Sequence, residues 1–212
     1  MQITLTNTGK RFNREWIFRH CHYQFKQGHT YAITGPNGSG KSTLLQVIAG
    51  AVMQSEGEIT YTQTMNQIEG SVTTNNIPPD QSYRNLTFAA PYLELIEEMT
   101  AMELLRFHAT FKPLLSSPED ILKEVNLEKS AHKQIRYFSS GMKQRLKLAQ
   151  AFFSRSTVLL LDEPTTNLDK EGIDLYHKLA GEHSKEKLVI VSSNDPQEYH
   201  FCKEVISISN YK

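Results

Sequence analysis

The 212-residue chain is long enough to bury a core of its own, and its 39% hydrophobic and 22% charged residues are ordinary for a globular protein. Its 23 Lys and Arg balance 23 Asp and Glu, which argues against a bulk electrostatic hold on nucleic acid, and no nucleic-acid partner is expected. No apolar run approaches the roughly 18 residues that a membrane-crossing helix needs, and Met1-Gln2-Ile3-Thr4-Leu5 alternates as a strand instead of opening a basic-then-apolar leader. A cytoplasmic protein is expected, with any membrane connection made through a partner. Cys21 and Cys202 form no disulfide framework and no metal-ligand spacing. His20-Cys21-His22 on an extended segment points its side chains to alternate faces, which disfavours a shared ion.

In chain order, Ile3, Leu5, Phe18, Tyr23 and Phe25 lie in short alternating segments that predict an antiparallel opening sheet. Thr30–Thr34 is a compact apolar strand that runs into a glycine-rich turn, after which Thr43–Ala49 takes helical spacing. Glu56–Tyr61 predicts another strand. Residues 62–85 are polar, with Asn75-Asn76 and Pro78-Pro79, and predict a hairpin and loop. From Glu94 to Val125 the pattern is helical, with one stripe at Leu104, Leu105, His108 and Phe111 and another at Ile121, Leu122 and Val125; Pro113 and Pro118 bracket the break. Gly141–Ser154 predicts a basic amphipathic helix, Thr157–Leu161 a strand buried on both faces, Gly172–Leu179 a helix, Lys187–Ser192 a buried strand and Cys202–Ser209 a last strand. Strands alternating with helices predict an α/β fold with a mainly parallel sheet, an antiparallel β part at the N-terminus and an inserted helical arm.

The turn itself, Gly35-Pro36-Asn37-Gly38-Ser39-Gly40-Lys41-Ser42, matches the phosphate-loop pattern at every defined position. Glycines let successive backbone N–H groups face a triphosphate, and the following helix offers its positive end. Lys41 reaches the terminal phosphates and Ser42 offers a hydroxyl to Mg²⁺. Pro36, Asn37, Ser39 and Thr43 complete the expected ATP contacts. The strand ending at Leu161 delivers Asp162 and Glu163 to the end of the sheet where ligands bind, Asp162 to hold Mg²⁺ and Glu163 to polarise the attacking water.

Upstream of that pair lies Phe138-Ser139-Ser140-Gly141-Met142-Lys143-Gln144-Arg145. Here the chain resembles the nucleotide-binding subunit of an ABC (ATP-binding cassette) transporter, whose leucine-serine-glycine-glycine-glutamine signature falls on Phe138–Met142. Glu163-Pro164-Thr165-Thr166-Asn167-Leu168-Asp169 is similar to the family's stretch from catalytic glutamate to D-loop, and Phe12 to its adenine-stacking aromatic. The resemblance implies a P-loop NTPase core at 1–91 and 141–212, with a helical subdomain at 92–140, forming a single ATP-binding domain over 1–212. It also implies a head-to-tail dimer, homo- or heterodimeric, in which ATP lies between one chain's phosphate loop and the other's Ser139, Ser140, Gly141 and Asp169. A transmembrane permease subunit would convert closing and opening into transport.

Three motifs depart from the family pattern. Ser140 and Met142 replace a glycine and the glutamine in the signature. Pro91 stands where a glutamine usually reaches the metal, with Glu94 nearby as a substitute. Asn194 stands at the switch histidine; an amide donates a hydrogen bond but carries no proton or charge. Intact ATP binding and slow hydrolysis in the isolated chain are expected. The competing readings are a soluble ATPase of the same family acting on ribosomes, nucleic acid or cofactor assembly, and a P-loop kinase or GTPase. The single cassette disfavours the former and Phe138–Arg145 the latter. Leu93, Leu95, Ile96 and Met99 form either a docking surface or the packing of the arm onto the core.

Overall fold

The opening strands β1 (Gln2–Phe12) and β2 (Glu15–Lys26) pair antiparallel in the computed structural model, which describes residues 1–66 and 72–212. Ile3 and Leu5 face inward with Phe18, Cys21 and Phe25. Strict alternation fails at a bulge where Asn7 and His20 both adopt positive φ. The histidine triplet is wired to that bulge: His20 Nδ1 meets Asn7 Oδ1 at 2.8 Å and His22 Nδ1 accepts from the Asn7 backbone N–H, while Cys21 turns into the core. These three residues lock a register shift.

β3 (Thr30–Thr34) leads through the glycine-rich turn into α1 (Lys41–Ile48). The polar stretch after Tyr61 extends β4 (Glu56–Asn66), pairs it with β5 (Val72–Ile77) and closes in a 3₁₀ turn at Pro79–Asn85; the tip of the expected hairpin, 67–71, lies outside the described residues. β6 (Leu86–Ala89) follows as a short strand. Two helices then form the arm, each started by its cap. Thr100 and Glu103 make a reciprocal capping box for α2 (Ala101–Phe111), and Ser117 with Pro118 in the first turn starts α3 (Pro118–Glu124). Leu104 and Leu105 are buried as the stripe predicts, but Phe111 is 75% exposed, because the inward row runs through Ala101, Met102, Leu104 and Leu105 and the chain leaves the helix at Lys112.

α4 (Ser140–Phe153), β7 (Val158–Asp162), α5 (Lys170–His183), β8 (Leu188–Ser192), the single turn α6 (Pro196–Tyr199) and β9 (Glu204–Ser207) complete the chain. The last strand is shorter than its apolar run predicts, since Ile208–Tyr211 coils into a 3₁₀ turn. α5 is longer at both ends: capped by Asp169 it starts at Lys170, two residues before the apolar spacing begins, and it runs on to His183.

Among the described residues the strands form an antiparallel sheet, β2-β1-β4-β5, and a parallel sheet, β6-β7-β8-β3-β9. The parallel sheet divides two cores. Leu159, Leu161, Val189 and Val191 face the arm with α4 and α5. Val158, Leu160, Leu188 and Ile190 face α1 and the antiparallel sheet. Each such fully buried side chain stabilises the fold by about 1.5–3 kcal/mol, which is why β7 and β8 read as unbroken apolar runs.

Candidate functional site

The loop after β3 needs its glycines. Gly40 has φ 98°, and a Cβ there would lie 2.3 Å from Ile17 Cγ2. Gly40 also occupies the N-cap of α1 without a side-chain cap, and no acidic residue stands in the first turn. The first N–H groups of α1 are therefore left for an external anion. Lys41 is only 5% exposed, and its Nζ donates to the carbonyls of Gly35 at 2.9 Å and Pro36 at 3.2 Å. Those two neutral acceptors hold the ammonium inside the loop, ready for a stronger partner.

Opposite, β7 carries Asp162 into the sheet end at 1% exposure, and its Oδ1 is buried without a hydrogen-bond partner. Glu163 follows in the left-handed region (φ 40°), its N–H donating to Ser192 O at 2.9 Å, so backbone strain aims its side chain out of the strand line. A cavity of about 220 Å³ is lined by Ile17, Asn37, Gly38, Gly40, Lys41, Ser42, Thr43 and Glu163. Phosphate loop and Glu163 thus share one space, with Asp162 the residue before it. Asn194, exposed beyond the end of β8, donates from Nδ2 to Asn37 Oδ1 at 3.2 Å, at the rim of the loop. The Ser42 hydroxyl and the Asp162 carboxylate are hard oxygen donors of the kind Mg²⁺ takes.

The structure adds residues that sequence reading missed. Ile17 packs under Gly40, whereas Phe12 sits 47% exposed near the tip of the β1–β2 hairpin with Lys10 Nζ 4.8 Å above its ring. Tyr92, next to Pro91, accepts at its hydroxyl from Gln46 Nε2 at 3.0 Å. Glu94 is exposed and lines a groove with Lys143 and Lys147 instead. Glu198, 3% exposed, accepts from Thr165 N at 2.7 Å and Thr165 Oγ1 at 2.5 Å, and burial raises its carboxyl above the ordinary range.

The ABC transporter family profile matches residues 18–166. The chain belongs to the ABC transporter family. It is 28% identical to the uncharacterized ABC transporter ATP-binding protein YybJ of Bacillus subtilis over 97% of this chain and 88% of that one. It is 29% identical to the zinc uptake system ATP-binding protein ZurA of Listeria monocytogenes over 98% and 82%. Its fold superposes with a TM-score of 0.75, at 25% identity and over 97% and 93% of the two chains, on the dimeric ATP-binding cassette MJ0796 in a post-hydrolysis state with ADP and Pi. The α/β architecture with its two sheets is that of the ABC cassettes.

The segment Phe138–Met142 runs into the start of α4. Ser139 is the N-cap of α4, its Oγ accepting from Met142 N at 3.2 Å; Ser139 and Ser140 are exposed and Gly141 half-buried. A Cβ at Gly141 would lie 3.0 Å from Asn167 O, so this glycine lets the turn after Glu163 approach the helix. Asp169 spends Oδ1 on capping Gly172 N at 2.9 Å and leaves Oδ2 4.0 Å from Arg145. Ser139, Ser140, Gly141 and Asp169 do not line the phosphate-loop cavity of their own chain. At the start of the arm, Leu95 and Met99 pack on the core while Leu93 and Ile96 stay 37% and 41% exposed.

Proposed function

We propose that this ABC family member is the Mg-ATP-binding and hydrolysing subunit of a transporter and works as a cytoplasmic protein at the inner face of a membrane. One observation carries the reading: Lys41, Ser42 and Glu163 line a single cavity, with the buried, unpartnered Asp162 oxygen beside it. Ser42 and Asp162 would hold Mg²⁺, which supplies charge neutralisation on the phosphates when bound. Lys41 exchanges its two carbonyl partners for the terminal phosphates. Glu163 accepts a proton from water as the new P–O bond forms and the bond to the ADP oxygen breaks. Asn194 donates a hydrogen bond at the rim and carries no proton, so turnover in the isolated chain is slow.

At about 220 Å³ the cavity is smaller than the ~300–1,000 Å³ of enclosed ligand sites, which supports a site completed from outside. Ser139, Ser140, Gly141 and Asp169 of a second cassette would close it. A permease would dock at the arm, where a groove of about 580 Å³ lined by Pro91–Leu95, Glu97, Lys143 and Lys147 adjoins exposed Leu93 and Ile96. The division into a core at 1–91 and 141–212 and an arm at 92–140 belongs to the same proposal.

The test is purification from detergent-solubilised membranes of source cells, with Mg-ATP binding measured on the product. A stoichiometric multi-spanning protein in the same peak supports the transporter reading. An exclusively soluble pool on ribosomes or nucleic acid overturns it in favour of a soluble ATPase of the same family.

A further inference from the structure

Glu124 closes α3, and Glu182 and His183 stand in the last turn of α5. Each offers one donor, a carboxylate oxygen or a ring nitrogen, and these donors all lie within 4.8 Å of one another. The arm supplies one of them and the core the other two. His183 is half-buried, its ring edge-on to Phe153 at 4.7 Å and tilted to Phe152 at 6.3 Å. Among the described residues neither of its ring nitrogens makes a hydrogen bond. A polar group so held costs free energy unless some partner takes its lone pair or its proton. α5 runs for 14 residues, and the partial negative charge at its C-terminal end favours a cation beside Glu182 and His183. Glu182 is exposed, so the donors are open to solvent, and none of the three lines the nucleotide cavity.

We infer that Glu124, Glu182 and His183 form a divalent-cation site of the zinc class that bridges the arm and the core. One imidazole and two carboxylates match a Zn²⁺ site with three protein ligands and a water, and the nitrogen donor sets it apart from the all-oxygen sites of Mg²⁺ and Ca²⁺. Donors on a tetrahedral Zn²⁺, bonded at about 2.0–2.1 Å, lie roughly 3.3 Å apart. Donors already within 4.8 Å of one another reach that spacing by small side-chain rotations. Lys178 Nζ pairs with Glu124 Oε1 at 3.3 Å, and this side chain, 53% exposed, swings into solvent as the cation takes its place. Lys187 is the other nearby ammonium, and its Nζ is committed to the carbonyls of Phe152 and Ser154. The alternative is a solvated ion-pair cluster, in which Glu124 serves Lys178 alone and His183 only packs on the phenylalanines.

Zinc titration of the untagged full chain, free of nucleotide, separates the two. At a hundredfold excess over its Kd, Zn²⁺ is expected to raise the melting temperature by roughly 5–10 °C, and Mg²⁺ at the same concentration to leave it in place. In competition with a chromophoric chelator, His183→Ala and Glu124→Gln are each expected to weaken Zn²⁺ binding by about tenfold or more. His22→Ala, at the β1–β2 bulge, is expected to leave it unchanged. Lys178→Ala removes the competitor for Glu124 and is expected to tighten it, and this variant and Glu124→Gln carry the test if His183→Ala does not fold. Co²⁺ in place of Zn²⁺ is expected to show the intense visible bands of a four-coordinate ion, lost in Glu124→Gln. Zinc binding that His183→Ala and Glu124→Gln leave intact places the ion elsewhere and overturns the site. A wild-type melt that Zn²⁺ fails to raise overturns it as well and leaves the ion-pair cluster.

Discussion

Glu163 and Gly40 carry the sharpest residue-level expectations. Among the described residues Glu163 is the one carboxylate lining the cavity, and Glu163→Gln keeps its shape while removing the proton acceptor. Turnover is expected to fall by about 10²–10⁴-fold with ATP affinity retained, and light scattering with ATP should report a longer-lived dimer. Undiminished turnover would remove Glu163 as the base. Gly40→Ala introduces a side chain at φ 98° into the Ile17 methyl. Overpacking together with left-handed strain is expected to cost about 2–4 kcal/mol, read as an earlier urea midpoint and weaker nucleotide binding. Chemistry of this kind was legible in the sequence because the phosphate loop and the acidic pair are contiguous stretches whose residue types state their task. The Gln46–Tyr92 and Thr165–Glu198 contacts were not, since they join positions 46 and 33 residues apart. No local pattern marks such partners.

Among the elements, the single turn α6 has an influence out of proportion to its length. Its Glu198 side chain grips Thr165, and its Glu198 carbonyl accepts from Tyr176 on α5 at 2.6 Å. The turn that follows Glu163 is thereby tied to the segment that follows Asn194. Glu198→Ala leaves both Thr165 donors without their partner, a loss of about 1–3 kcal/mol, and is expected to lower kcat through a looser Glu163. Glu198→Gln keeps the Oε1 acceptor without the charge. Because burial raises the Glu198 carboxyl above its ordinary 4.5, its contribution to stability is greatest below that pH and is lost as pH rises through the folded-state value. Melts of Glu198→Gln should therefore equal or exceed wild type at pH 7 and lose that advantage near pH 4. Helix ends were the least legible features: α5 starts where Asp169 caps it, not where its apolar spacing begins, and the polar run after Tyr61 hid strand pairing whose partners are themselves polar.

Across the whole molecule, the sheet order places β8 between the phosphate-loop strand and the acidic strand, so Ser192–Asn194 border both halves of the site. Alternation within β7 and β8 sorts their side chains into the two cores, a division visible only once the strands are paired. At the opposite end of β8, Lys187 is 8% exposed, its Nζ donating to the carbonyls of Phe152 and Ser154, and burial lowers its ammonium from 10.5 to about 8. Between those two pH values the unfolded chain binds a proton that the folded chain has released, so stability should rise with pH there. Lys187→Met is expected to flatten that rise in melts from pH 7.5 to 10, at a lower overall stability because two carbonyls lose their donor.

Of the five buried side-chain atoms without a partner among the described residues, three are Ser39 Oγ in the glycine-rich loop and Asp162 Oδ1 and Ser192 Oγ at the paired ends of β7 and β8. Unsatisfied polar atoms lower the cost of local opening where they cluster. The ends of β7 and β8 and the phosphate loop are thus expected to open locally before the two cores do, read as faster amide hydrogen exchange there.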